Sequence, residues 1–276
     1  MAAIKGVVAA LEKSLERTNK MAKLIYAAIV AVSLILSQSV VAQKPEIGTA
    51  RPAGVAAPVD FHACNFKEGK SREDLDALTA KFRDYANKND YSYAAWILTP
   101  QYHSQSNFDF GWLGAWPDGE AFGVSMEKWM SNPTLEADFS AVMDCSNHHE
   151  LAMSLPINAA DSTPQDGIML VYQCSLQDDK TFDAAHKAHL EWGTTKKALG
   201  FLDNSWLFRP EIGIRDIDFD YYHIVVFYRY SDLGAAMEIY ANGDGKKKRE
   251  KIYAGITDCG RPFIYDFMSV RDRDER

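Results

Sequence analysis

His223 stands in the run Asp220-Tyr221-Tyr222-His223-Ile224-Val225-Val226-Phe227, where alternation puts it on one face with Tyr221 and Phe227. An imidazole titrates near neutral pH, so it can take a proton from a bound molecule or orient one by a hydrogen bond. Tyr221 on that face, and Arg209 beside Pro210, are the groups able to orient a substrate, with Arg209 meeting a carboxylate at the mouth of a site. Each also has a structural use: His223 as a hydrogen-bonded core residue, Arg209 as a solvated loop residue.

Two clusters have ligand chemistry. His186 and His189 are three apart in a helical stretch with Glu191 nearby, and Asn147-His148-His149-Glu150 is the other. Neither has a third ligand at metal-site spacing, so no metal is expected. No glycine-rich phosphate loop, Gly-x-Ser-x-Gly elbow or His-Glu-x-x-His helix is present, and no cofactor is implied.

The elements that position these residues occur twice. Cys64, Trp96 and Pro100 recur as Cys174, Trp206 and Pro210, each 110 positions later. Phe108-Asp109-Phe110 returns as Phe219-Asp220-Tyr221, Met126-Glu127 as Met237-Glu238, and Asp144-Cys145 as Asp258-Cys259. Small drifts in offset are what loop insertions leave after a duplication. Each half reads strand, helix, strand, strand, helix, strand. In the first half these are 60–66, 71–87, 91–98, 108–116, an interrupted helix over 123–130 and 135–143, and 151–157. In the second they are 168–176, 182–199, 205–208, 219–230, a helix from Gly234, and 263–270. The fold class is α+β, two βαββαβ units of the ferredoxin-like kind over 60–157 and 168–270, with a linker at 158–167 and a charged tail at 271–276.

In such a unit the first and last strands are antiparallel neighbours, and the cysteines lie late in the first strand and just before the last. Cys64 with Cys145 and Cys174 with Cys259 is the pairing, of three possible, that respects both the repeat and this topology. These cysteines read as staples rather than nucleophiles.

Alternation gives the third strands an aromatic face. Phe108, Phe110, Trp112 and Trp116 share it, Gly114 leaving room beside the rings, and Phe219, Tyr221, His223 and Phe227 are the second-half equivalents, with Val225 for the glycine. The opposite face, Leu113 and Ala115 or Ile224 and Val226, suits packing under helices. Trp96 and Trp206 add an indole per half, and His62 and Tyr172 lie on the cysteine face of the first strands. These rings form either a ligand pocket or ordinary barrel core. His223 replaces Trp112, and His186 and His189 replace Asp76 and Thr79, so the chemistry-bearing residues are where the halves differ.

Two such units in one chain resemble the dimeric α/β-barrel superfamily, which includes antibiotic-biosynthesis-monooxygenase-like and stress-responsive barrel domains. The resemblance is one of repeat order over residues 60–270 and implies two facing sheets with helices outside. It also implies small hydrophobic or aromatic ligands between sheet and helices or within the barrel, and in some relatives a haem, for which no axial residue is assignable here.

Lys23 precedes an apolar run, Leu24 to Leu36, followed by Ser37-Gln38-Ser39-Val40-Val41-Ala42, the pattern of a secretory signal cleaved before Gln43. Met21 is an alternative start, an uncleaved anchor the competing reading, and 43–59 a loose leader. Residues 1–42 hold five of the 30 basic and two of the 38 acidic side chains, so the remainder carries 25 and 36, a net −11. An acidic periplasmic or secreted protein is a poor binder of nucleic acid or anionic membranes. The exception, Lys246-Lys247-Lys248-Arg249, reads as a solvated helix face. The leading expectation is a non-catalytic protein that binds a small apolar or aromatic molecule between its halves. Its alternatives are a cofactor-independent monooxygenase- or isomerase-like enzyme using His223, and a structural or interaction module of the envelope. Oligomeric state is left open.

Overall fold

Strand β1 (Ala57–Phe66) begins three residues earlier than its apolar pattern suggests, because pairing with the strand over Met143–Asn158 recruits Ala57 to Val59. The computed structural model describes residues 55–103, 107–159, 165–214 and 217–272. The expected signal segment, the leader up to residue 54, linker residues 160–164 and tail residues 273–276 lie outside them. No helix among the described residues is long and apolar enough to cross a membrane.

The first half continues with α1 (Arg72–Lys88), β2 (Ala94–Tyr102), β3 (Phe110–Ala115), α2 (Gly119–Met130), α3 (Pro133–Val142) and β4 (Met143–Asn158). The second contains β5 (Asp166–Leu176), α4 (Phe182–Leu199), β6 (Asn204–Ile212), β7 (Tyr221–Phe227), α5 (Tyr230–Ala241), α6 (Gly245–Tyr253), β8 (Thr257–Cys259) and β9 (Phe263–Arg271). Helix starts follow capping chemistry: the Ser71 amide donates to Asp74, Asp118 and Thr181 side chains accept from Ala121 and Ala184, and Asn132 accepts from Leu135 ahead of Pro133. Gly200, at φ +90°, closes α4 in the left-handed conformation that glycine tolerates best.

All described strand pairings are antiparallel. The order β7-β6-β4-β1-β3-β2-β9-β5 closes through β5 with β7, giving an eight-stranded barrel, and β8 flanks it on β5. The halves join at β4 with β6 and at β2 with β9. Both disulfides form as the repeat requires, Cys64 to Cys145 and Cys174 to Cys259.

The two faces of the third strands are the reverse of the sequence expectation. Leu113, Ile224 and Val226 point into the barrel with Leu98, Met169 and Phe267. Phe110, Trp112 and Trp116 lie outside, under the helices, with Phe82, Leu135 and Phe139. Alternation tells which residues share a face but not which face is inside.

Phe108 departs from its supposed companions. It precedes β3, so strand alternation does not govern it, and it packs on the barrel-interior side, 6.1 Å from Phe61 and 6.4 Å from Tyr265 between ring centroids. Phe219 likewise precedes β7 and lies 4.7 Å from Tyr222. Trp96 and Trp206 also pack against the interior cluster, on the opposite side of the sheet from Trp112. Nor does Gly114 leave open room. A side chain there would collide with the Tyr93 hydroxyl and the Asp60 carboxylate. Gly114→Ala should therefore lower stability by about 1–3 kcal/mol, the range for overpacking, in a denaturant titration where Gly119→Ala, facing open space, changes little.

Candidate functional site

The same structural layer is built twice and filled differently. In the first half, α1 and α3 cover a continuous set of rings. Phe82 contacts Trp112 at 5.6 Å and Phe139 at 5.9 Å, Trp112 meets Phe139 at 5.5 Å, and Tyr93 meets Trp116 at 4.6 Å. Its polar groups are paired except Trp116 Nε1: Trp112 Nε1 donates to Tyr93 Oη at 2.8 Å and Tyr93 donates to Asp60 at 3.2 Å, while Asp60 also holds His62 Nε2 at 2.9 Å. His62 packs edge-on against His149 at 5.3 Å, half-buried at the layer's edge. This half of the layer is solid core.

In the second half, α4 and α6 cover titratable groups instead. His189 comes from α4, Tyr172 from β5, Tyr221 and His223 from β7, Thr257 from β8, and Arg249 and Tyr253 from α6. His189 Nε2 lies 2.9 Å from Tyr221 Oη, and Nδ1 lies 2.8 Å from Tyr253 Oη. Thr257 donates to the Ser175 carbonyl at 2.9 Å, so it accepts from Tyr221 Oη at 2.6 Å. Tyr221 then has only acceptor capacity left for His189, which fixes the tautomer. Neutral His189 donates from Nε2 to Tyr221 and accepts at Nδ1 from Tyr253. Burial first, then the charges of Lys196 and Arg249, holds its pKa well below the ordinary imidazole range. Burial raises Tyr253 well above the phenol range and pushes Tyr221 up to about 12.

His223 is 3% exposed, and neither ring nitrogen has a hydrogen-bond partner. Its ring stacks on Tyr172 at 5.6 Å and meets His189 edge-on at 4.4 Å. Burial, His189, Lys196 and Arg249 together hold it neutral. Each unpaired buried nitrogen costs about 1–3 kcal/mol, so this residue is an expensive occupant of the place Trp112 fills in the first half. Beside it, Lys196 and Asp203 form a buried ion pair, with Ser205 3.5 Å from the ammonium. Burial lowers the Lys196 pKa against the opposing pull of Asp203.

An open cleft of about 400 Å³ reaches this layer from the surface, lined by Gln177, Tyr240, Arg249, Tyr253, Thr257 and Cys259 among others. Sequence reading missed Arg249 and Tyr253. The signal was there, since Gly245, Arg249, Ile252 and Tyr253 follow one helical face, and they are the positions of α6 turned inward. Lys246, Lys247 and Lys248 are exposed as expected, but Arg249 lies under the helix rather than on its solvated side.

The other candidates are dispersed. Arg209 pairs with Glu211 at 2.6 Å and lies 5.3 Å over the Phe182 ring, at the rim of the layer. Phe227 packs with Ile168 and Leu233, away from His189. Phe110, Trp112 and Trp116 belong to the solid first-half layer, and Phe108, Trp96 and Trp206 to the barrel interior. His148 and Glu150 lie in β4, which starts eight residues before the expected strand. Glu150 accepts from Tyr222 at 3.2 Å and is 3.6 Å from His148, whose pKa that hydrogen-bonding carboxylate raises despite partial burial. Cys174, His189 and Cys259 come close enough to hold a metal ion, but the two sulfurs are bonded to each other.

No family model matches the chain, and no curated protein does. Among solved structures it is similar to a putative chlorite dismutase, at 13% identity and TM-score 0.46 over 79% of this chain and 96% of that one. It is similar also to a putative monooxygenase from Lactobacillus acidophilus, at 10% identity and TM-score 0.49 over 79% and 95%. A third is a haem-binding protein from Thermus thermophilus, at 10% identity and TM-score 0.47 over 82% and 96%. The resemblance to dimeric α/β-barrel proteins is one of fold.

Proposed function

We propose that this chain is an exported carrier of a small, largely apolar or aromatic molecule, which it takes into the second-half cleft against Tyr253 and Tyr240. The observation that carries the reading is the contrast between halves. Selection for stability alone favours the ring-filled layer of the first half, whereas the second keeps polar groups, an unpaired imidazole and an open cleft. A cleft of about 400 Å³ is within the size range of small-molecule sites. The two halves are read as ferredoxin-like units fused after a duplication, and two disulfides favour an oxidising compartment.

A second reading, a cofactor-independent enzyme with His223 as base, draws on its two unpartnered nitrogens. It is the weaker one. A base whose protonated form is strongly disfavoured by burial has little driving force to accept a proton near neutral pH. A haem, as bound by the Thermus neighbour, does not fit the layer as arranged. Both His189 nitrogens are taken by tyrosine hydroxyls, and His223 is enclosed by the rings of His189 and Tyr172.

Native mass spectrometry and thermal-shift screening of aromatic and lipid-like metabolites test the carrier role. At least one is expected to bind the wild-type protein and to be lost in Ala254→Trp, which fills the cleft from its exposed rim. A ligand that binds Ala254→Trp unchanged sits elsewhere, and a screen without any ligand removes the proposal.

A further inference from the structure

Arg249 is a half-buried cation with no carboxylate partner among the described residues. Among the described residues it is in no ion pair; it donates to Tyr240 Oη at 3.1 Å, and its guanidinium lies 5.2–5.9 Å from the ring centroids of Tyr253, Tyr172 and Tyr240. Burial acts to lower its pKa, and the three tyrosines more than offset that, so it stays charged. Its charge is felt throughout the layer: it lowers the pKa of His189, His223, Lys196, Tyr172, Tyr221 and Tyr253 alike. Arginine presents several donors in a planar fork, and the tyrosine hydroxyls that meet it supply no opposite charge.

A second observation points the same way. Helix α6 carries Lys246, Lys247, Lys248, Arg249 and Lys251 against one acidic residue, Glu250, in a chain of net charge −8. The lysines are exposed on the helix that borders the cleft, a concentration of positive charge on an acidic protein. Glu250 and Asp258 also line the cleft, but both are exposed, and Glu250 lies 3.9 Å from Lys246.

We propose that the molecule taken by this cleft is an organic anion, an aromatic or apolar carboxylate whose acid group pairs with Arg249 while its rings lie among Tyr172, Tyr240 and Tyr253. This rests on the carrier role proposed above and names the class of its cargo. A carboxylate matches the guanidinium fork in bidentate geometry, and the partly desolvated site strengthens the pair relative to water. The lysines of α6 contribute to the rate of encounter rather than to the bound contact.

The test uses three probes of one shape: 2-naphthoate, 2-naphthalenemethanol and 2-naphthylmethylamine, titrated by isothermal calorimetry. The wild-type protein is expected to bind the carboxylate at least tenfold more tightly than the alcohol and to reject the amine. Added salt should weaken the carboxylate alone. Arg249→Gln should abolish the preference while keeping the alcohol's affinity, and Arg249→Lys should retain part of it, with melting curves showing that each variant is folded. The wild-type comparison stands even if a variant fails to fold. Equal affinity for carboxylate and alcohol, both lost in Ala254→Trp, overturns the anion assignment and leaves the carrier role intact. Binding of none of the three probes overturns this cargo class, while the wider metabolite screen still decides the carrier role.

Discussion

Replacing Cys174 and Cys259 together by alanine is expected to cost about 4–5 kcal/mol of stability in the chain-entropy model and to abolish ligand binding. Replacing Cys64 and Cys145 should cost a similar amount and leave binding in place. The loops closed are nearly equal, with sequence separations of 85 and 81, so the entropic terms match. What differs is what each bond holds. Cys259 ends β8, a strand of three residues paired only with β5. The same short strand carries Thr257, which anchors Tyr221 and through it His189 and Tyr253, and it borders the cleft directly. Cys145 lies in the sixteen-residue β4, which is held by β1 on one side and β6 on the other. Denaturant melts of the two double variants, with probe titration under native conditions, give both readouts. Retention of binding without Cys174–Cys259 would show that β8 does not depend on its disulfide for position, and loss in both variants would show that binding follows overall stability rather than β8. Reduction of both bonds removes about 8–10 kcal/mol by the same model, most of the 5–15 kcal/mol by which domains are ordinarily stable, so the reduced protein is expected to unfold.

The parts of this arrangement legible in the sequence are those set by spacing. The 110-residue offset of Cys64, Trp96 and Pro100 gave the repeat, and the repeat gave the disulfides, because cysteines at equivalent positions must satisfy the same topology. Helix α4 falls on the expected 182–199 because its caps, Thr181 and Gly200, are local signals. Comparison of the halves also singled out His223, whose surroundings proved to be the layer that differs. Features decided by distant partners were not legible. Asp144 to His149 fell between the expected helix, ending at 143, and the expected strand, starting at 151, yet Asp144, His148 and His149 pair with β1 and extend β4. Inside and outside were exchanged because period-two alternation has no sign. Lys196 and Asp203, seven positions apart, went unremarked because nothing local marks them as partners; the turn from α4 into β6 brings them together. Arg249 was hidden by its neighbours, three exposed lysines that gave the whole run a solvated look.

The second large effect is a loss of stability on mild acidification, and its sign follows from the two buried histidines. His189 and His223 both have folded-state pKa values well below the ordinary 6.5, so below that value the unfolded chain takes up protons that the folded one does not. Stability then falls as pH falls. Each group contributes a slope of up to about 1.4 kcal/mol per pH unit, and the pair should remove about 4 kcal/mol between pH 7 and pH 5. His148 opposes the trend, since Glu150 raises its pKa, but it is more exposed and its term is smaller. The carboxylates with lowered pKa values, Glu73, Asp74, Asp144 and Asp232, act only below this window. Urea melts at half-unit steps from pH 7.5 to 5 measure the slope. His223→Phe restores the ring-filled arrangement that Trp112 gives the first half and removes two unpaired nitrogens, so it should raise stability at pH 7 and halve the acid slope. His189→Gln should halve the slope too, but at a cost in stability, because its hydrogen bonds to Tyr221 and Tyr253 are disturbed. A flat profile in the wild-type protein would mean that the imidazoles find partners or solvent that this layer does not offer them. A steep profile that His223→Phe flattens while weakening ligand binding would tie the costly histidine to the cargo, since nothing in the stability of the barrel calls for it.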